Sequence, residues 1–125
     1  MKIVLVDDND DLRTMVGFLL RGLGHDVMEA TEGMSGLTLL RSERPELAII
    51  DIGLPNLDGH QLVRQFRAEE HPDQRAYIVA YSGYGDEANR RKAQSAGFDI
   101  HLVKPVPLSV LKQIVTDRAV ALHAP

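Results

Sequence analysis

Short runs of β-branched and apolar residues alternate along this chain with longer stretches in which apolar positions recur every three or four residues. That rhythm predicts βα units and a mainly parallel sheet flanked by helices. Five units can be read. A strand from about Lys2 to Val6 precedes a helix near Asp10 to Arg21, with Leu12, Met15, Val16 and Leu19 facing inward and Gly22 and Gly24 stopping it. A strand at about Asp26 to Ala30 leads to a helix near Gly33 to Ser42, with Met34, Leu37 and Leu40 inside and Pro45 at its end. The third strand, Leu47 to Ile50, is apolar throughout, as a central strand covered on both faces requires. After a Pro-Asn-Leu-Asp-Gly loop, Leu62, Val63 and Phe66 mark a third helix ending near Glu70. A fourth strand at about Tyr77 to Tyr81 precedes a helix at about Asp86 to Ala96, whose polar run leaves mainly alanines to pack, with Gly97 as its cap. The last unit is a strand at about Ile100 to Val103 and a helix from near Pro107, with Leu108, Leu111, Ile114 and Val115 inside.

Four of these strands run directly into reactive polar residues: Asp7-Asp8, Asp51, Ser82 and Lys104. Parallel crossovers are right-handed, so helices on both faces require a strand order that reverses once, with the first and third strands adjacent at the reversal. Asp7 and Asp8 then lie beside Asp51 at the carboxyl edge, where open α/β sheets bind ligands.

Length and composition narrow the chemistry. The 125 residues fit a single domain spanning 1–125. The absence of cysteine excludes thiol catalysis, thiolate metal sites and disulfides. Fourteen Lys and Arg against eighteen Asp and Glu give a net charge of −4, the wrong sign for electrostatic binding of nucleic acid. The opening MKIVLVDDNDD has too short an apolar run for a signal peptide or a membrane span, so a soluble cytoplasmic protein is expected.

Three adjacent carboxylates repel one another unless a pKa rises or a cation intervenes. The donor inventory is all hard oxygen, which suits magnesium, Mg2+. With the site neutralised, a carboxylate can attack phosphorus and form an acyl phosphate, and the central Asp51 is the candidate nucleophile. Lys104 suits one phosphoryl oxygen and the Ser82 hydroxyl or backbone amides another, since phosphoryl transfer is mostly electrostatic positioning. Each residue alone has a plainer reading: Asp7-Asp8 as a helix cap, Asp51 and Ser82 as turn residues, Lys104 as a solvated loop lysine. Four strand ends with complementary chemistry favour the joint reading. The five histidines, at 25, 60, 71, 101 and 123, show no metal-ligand spacing, and only His101, on the last strand close to Lys104, is informative.

The stretches VLVDDND, LAIIDIGLPNLDG, AYSGYG, AGFD and HLVKPV together resemble the receiver domain of two-component response regulators, from Lys2 to about Leu122. The resemblance implies a flavodoxin-like (βα)5 three-layer sandwich with a parallel five-stranded sheet of order 2-1-3-4-5. It implies phosphorylation of Asp51 by a histidine kinase or phosphotransfer protein. Asp7 and Asp8 match the acidic pair for magnesium, and the backbone carbonyl of Gly53 would complete the protein ligands. Ser82 matches the switch hydroxyl and Lys104 its salt-bridging partner. Phosphorylation would rearrange the face made by the fourth helix, fifth strand and fifth helix, where a downstream protein partner binds.

The sequence departs from the family at two places. The fifth-strand switch position, commonly Tyr or Phe, is His101, and Gly53 and Tyr84 at the variable positions offer neither a carboxylate nor an amide to orient water. DIGLP with GFDIHLVKPV most resembles receivers attached to hybrid sensor kinases; a single-domain regulator and a segment of a larger protein both fit. The family implies a signalling domain rather than an enzyme. Two other functions stand as alternatives: a receiver-fold docking module working without phosphorylation, and a magnesium-dependent aspartyl phosphatase. The phosphatase lacks its second carboxylate, since Gly53 stands two residues after Asp51, and no P-loop motif occurs.

Overall fold

The computed structural model describes residues 1–83, 85 and 87–122. Tyr84, Asp86 and His123, singled out above, lie outside the described residues. The elements are β1 (Lys2–Val6), α1 (Asp10–Gly22), β2 (Asp26–Ala30), α2 (Gly33–Glu43), β3 (Leu47–Asp51), α3 (Gly59–Glu69), β4 (Tyr77–Ser82), α4 (Glu87–Ala96), β5 (Ile100–Val103) and α5 (Leu108–Leu122). All strand pairs are parallel, in the order β2-β1-β3-β4-β5. This is the flavodoxin-like arrangement expected from the sequence, with β1 and β3 adjacent.

The period-two alternation of each strand divides the core. Ile3, Leu5, Leu47, Ile49, Val79 and Tyr81 meet Val16 and Leu20 of α1 and Leu111 and Val115 of α5. On the other face Val4, Val6, Ala48, Ile50, Ile78 and Ala80 meet α2, α3 and α4. Each of these fully buried Leu, Ile or Val side chains contributes about 1.5–3 kcal/mol. Continuing the alternation by one step carries Asp7 and Asp51 off the ends of β1 and β3 on the α1/α5 side.

The helix boundaries have local causes. Asn9 caps α1 by accepting the Leu12 amide at 3.1 Å. Asp58 and Gln61 form a capping box that starts α3. Arg44 takes a left-handed conformation, φ 46°, ahead of Pro45, and Gly97 does the same at φ 113° after α4. Gly22 is the last residue of α1 rather than its stop; Leu23 caps it and Gly24, at φ 93°, makes the turn.

Two inward assignments are corrected. Met15 and Met34 are half exposed. The buried stripe of α2 is Gly33, Gly36, Leu37 and Leu40, and a Cβ at Gly36 would stand 2.9 Å from both Val6 methyls. Gly36 therefore faces the sheet and Gly33 the backbone of Leu57, which leaves Met34 outward. His60, set aside in the sequence reading, is buried at 6% exposure and packs edge-on against Phe98, with Nε2 lacking a hydrogen-bond partner.

Gly59 fixes the approach of α3 to the end of β3. A Cβ there would lie 2.7 Å from Ile52 Cα and 2.8 Å from the Asp51 carbonyl oxygen, both backbone atoms. Gly59→Ala should therefore cost about 1–3 kcal/mol in urea unfolding. Burial holds the imidazoles of His25, His60 and His101 below their ordinary 6.5, so the folded protein takes up fewer protons than the unfolded chain just beneath that value. Their contribution is fully present above about pH 6.5 and lost as the pH falls. His60→Phe, which keeps the edge contact, should flatten the decline of the urea midpoint between about pH 7.5 and about pH 5.5.

Candidate functional site

Asp51 is the last residue of the central strand and only 4% exposed. Its Oδ1 accepts the Gly53 amide at 3.0 Å and its Oδ2 accepts from Lys104 Nζ at 3.0 Å. The turn beyond it is held in place, because Ile52 donates its amide to Tyr81 and Gly59 donates its amide back to Ile52.

Asp7 is fully buried. The β1–β2 ladder extends to it, since its amide bonds the Ala30 carbonyl, and Arg13 donates to its own carbonyl. Oδ1 accepts the Asn9 amide at 2.9 Å, whereas Oδ2 is buried without a hydrogen-bond partner. Burial pushes the Asp7 carboxyl up; the Asn9 amide and Lys104 pull it down, and Asp51 pushes it further up. Asp8 is exposed at the mouth. One carboxylate oxygen from each of Asp7, Asp8 and Asp51 lies within 4.8 Å of the others. The convergence inferred from strand order is therefore present.

Lys104 enters from the end of β5, with its amide bonded to the Ser82 carbonyl at 2.7 Å. Its ammonium also lies 4.7 Å above the Tyr81 ring centroid, a cation–π contact in a partly desolvated place. Sequence reasoning missed Tyr81, treating it only as the end of a strand. The one signal available was its place at the strand end, directly before Ser82. Its hydroxyl is buried without a hydrogen-bond partner, and burial with the charges of Asp7 and Asp51 pushes the phenol well above its ordinary value. Tyr81 is therefore a neutral wall that braces the lysine.

Ser82 lies on the opposite side of β4 and is 4% exposed. Its Oγ is 3.0 Å from His101 Nε2, so the imidazole points inward. His101 Nδ1 is buried without a hydrogen-bond partner, and burial followed by the Arg90 charge keeps the ring neutral at neutral pH. Gly53 is exposed and meets Asp51 through its amide. All the predicted residues thus gather at one sheet edge, in two halves: Asp7, Asp8, Asp51 and Lys104 on the α1/α5 side, Ser82 and His101 on the other.

The acidic half fits a hard cation. It offers only oxygen, and Asp7 Oδ2 is a buried acceptor whose missing partner costs about 1–3 kcal/mol. The sign of this cost can be tested. Asp7→Asn removes the charge while its amide oxygen can keep the Asn9 contact, so without metal it should raise the melting temperature by a few degrees, equivalent to about 1 kcal/mol. Added magnesium chloride should raise the melting temperature of wild type and leave that of Asp7→Asn unmoved, as read by differential scanning calorimetry.

Comparison with known proteins gives a consistent result. The family model for the response regulator receiver domain matches residues 3–116. A chemotaxis protein CheY homolog of Campylobacter jejuni is 34% identical over 119 residues, covering 94% of this chain and 91% of its own. The CAI-1 autoinducer sensor kinase/phosphatase CqsS of Vibrio cholerae is 32% identical over 110 residues; these make up 88% of this chain but only 16% of the kinase. Among solved structures, the receiver domain of a Pseudomonas aeruginosa sensor histidine kinase, with a magnesium ion coordinated in its active-site cleft, aligns with a TM-score of 0.82. That pair is 28% identical, with 93% of this chain and 94% of the other covered.

Proposed function

Because the chain belongs to the response regulator receiver domain family, the phosphoacceptor modules of two-component signalling, we propose that Asp51 accepts the phosphoryl group and that the other strand-end residues serve that transfer. The observation that carries this reading is the pairing of a buried Asp51 carboxylate with Lys104 at 3.0 Å inside an acidic cluster. A carboxylate oxygen of Asp51 forms the new bond to phosphorus while the bond from phosphorus to the donor histidine nitrogen breaks, its electron pair leaving with the imidazole. Lys104 Nζ, already on Asp51 Oδ2, is placed to follow the negative charge onto the phosphoryl oxygens. Tyr81 keeps the ammonium from folding away into solvent.

Asp7, Asp8, Asp51 and the Gly53 carbonyl would hold magnesium, which when bound neutralises the crowded carboxylates and the phosphoryl oxygens. The magnesium ion in the active-site cleft of the Pseudomonas relative supports magnesium as the cation. The donor is a histidine kinase or phosphotransfer protein. Ser82 turns its hydroxyl from His101 toward a phosphoryl oxygen, and the α4–β5–α5 face carries the result to a downstream protein. α4 is the least anchored helix of that face, with only Ala93 and Ala96 buried among its described residues, as a switching element requires. Among the described residues no helix is long and apolar enough to cross a membrane.

Acetyl phosphate with magnesium should add one phosphoryl mass to the wild-type protein and none to Asp51→Asn, as read by intact-protein mass spectrometry. Equal labelling of both would remove Asp51 from the role. Lys104→Ala should still label but slow phosphotransfer from a histidine donor by about 10-fold or more, as expected for loss of one positioned cation.

A further inference from the structure

A cavity of about 650 Å³ opens between the carboxyl ends of α2 and α3 and the turn at Pro72–Gln74. There the two helices hand the chain to β3 and β4, so the cavity lies at the amino edge of the sheet, opposite the acidic cluster. It exists because two inward stripes run out together. Leu40 is the last buried residue of α2 and Phe66 of α3, and one helical turn further on stand Arg44 and Glu70. Glu70 turns inward, giving one oxygen to Arg67 at 2.7 Å and the other to the Ala76 amide at 2.7 Å. The wedge between the helix ends is left open, with Leu40, Phe66 and Pro72 as its apolar lining.

The charges around this cavity leave one cation over. Arg41 and Glu69 pair fork to fork, with Nε and Nη2 of the arginine each 2.8 Å from a carboxylate oxygen. The Arg44 guanidinium meets a neutral partner instead, donating from Nη1 to Gln74 Oε1 at 3.2 Å, and among the described residues it takes part in no ion pair. Its fork of N–H donors suits an acceptor with two oxygens. Arg44 also closes α2 in the left-handed region, φ 46°, where Gly or Asn is the easier choice, so the backbone does not account for an arginine there. Both helix ends present partial negative charge to the cavity. A bare anion therefore gains little from Arg44, and apolar contact has to supply the rest.

We propose that this cavity binds a small aromatic carboxylate, with its ring against Leu40, Phe66 and Pro72 and its two oxygens on the Arg44 guanidinium that Gln74 steadies. Both parts of the ligand are needed. A ring alone leaves the arginine uncompensated, and a carboxylate alone is opposed by the two helix ends. The volume lies within the range of roughly 300–1,000 Å³ that holds small ligands behind a few placed polar groups. Once bound, the acid ties the ends of α2 and α3 to the turn that leads into β4, and it stabilises the folded chain in step with its concentration. The site is separate from Asp51 and does not depend on the receiver reading.

The probe is indole-3-acetate, titrated by NMR into the isotopically labelled full chain, with indole and acetate as its separated halves and inorganic phosphate as a bare anion. Saturable shifts should centre on amides of 40–44 and 66–76, with a dissociation constant of about 1 mM or tighter. Indole, acetate and phosphate should each bind about 10-fold or more weakly. Arg44→Gly keeps the left-handed turn, so it should melt close to wild type while binding the acid about 10-fold more weakly. Gln74→Glu, which sets a carboxylate on Arg44 without disturbing the backbone, should weaken binding by about as much. Shifts centred outside the cavity, undiminished binding by either variant, or no saturation below about 10 mM would each overturn the proposal. So would binding of indole or phosphate as tight as that of the acid. Tighter binding of a capped Trp-Glu peptide than of indole-3-acetate would replace the small ligand with a protein segment and overturn it equally.

Discussion

Two buried carboxylates ending neighbouring strands are the constraint around which this molecule is arranged. Asp7 and Asp51 sit there because β1 and β3 are adjacent and in register, Val6 opposite Ile50, so both chains deliver their next inward residue to the same spot. Neither can relax into solvent. The rest of the site reads as a response to that crowding: the Gly53 and Asn9 amides each take one oxygen, Lys104 takes another, and one oxygen of Asp7 is left over. A site with a remaining buried acceptor is poised for a cation and for an anion brought with it. The unfavourable charge density that costs stability is thus the source of the chemistry.

The contrast between the two ends of the β4–β5 region follows from packing. Around Asp51 the backbone is fully committed, with Ile52 tied to Tyr81 and Gly59 pressed so close to β3 that no side chain fits. Such a scaffold holds the acceptor still. Across β4, α4 is attached by two alanine faces, and β5 is only partly covered along its length. Firm placement of Asp51 and loose placement of α4 are therefore built on the same five strands, because α4 alone among the helices meets the sheet through small residues, Ala93 and Ala96.

Most of this was legible in the sequence because it depends on periodicity and topology. The short unbroken apolar runs IVLV and LAII set the strands, and the handedness of crossovers set the order that joined Asp7 and Asp8 to Asp51. What was not legible depended on distances between side chains remote in sequence. Met15 and Met34 fit an inward helical stripe on spacing alone, yet the close approach permitted by Gly33 and Gly36 turns α2 by one position. His60 showed nothing in the sequence beyond its lack of metal-ligand spacing, and its burial against Phe98 depends on how α3 meets the turn after α4. Tyr81 could not be distinguished from a core aromatic until Lys104 was seen lying on its ring.

The exchange of the usual aromatic for His101 changes the energetics of switching, not only its geometry. A ring such as Phe or Tyr moving from solvent to interior gains about 1.5–3 kcal/mol from burial, which weights the inward state by one to two powers of ten. His101 gains less from its smaller, polar ring and draws its inward preference from one hydrogen bond to Ser82, worth about 0.5–1.5 kcal/mol net. Part of that is offset by the buried, unpartnered Nδ1. The inward and outward arrangements are consequently closer in energy than an aromatic would make them. On the proposed mechanism, a phosphoryl oxygen that claimed the Ser82 hydroxyl would remove the imidazole's main reason to stay inside. The inward position of His101 is therefore held by one polar bond rather than by apolar burial.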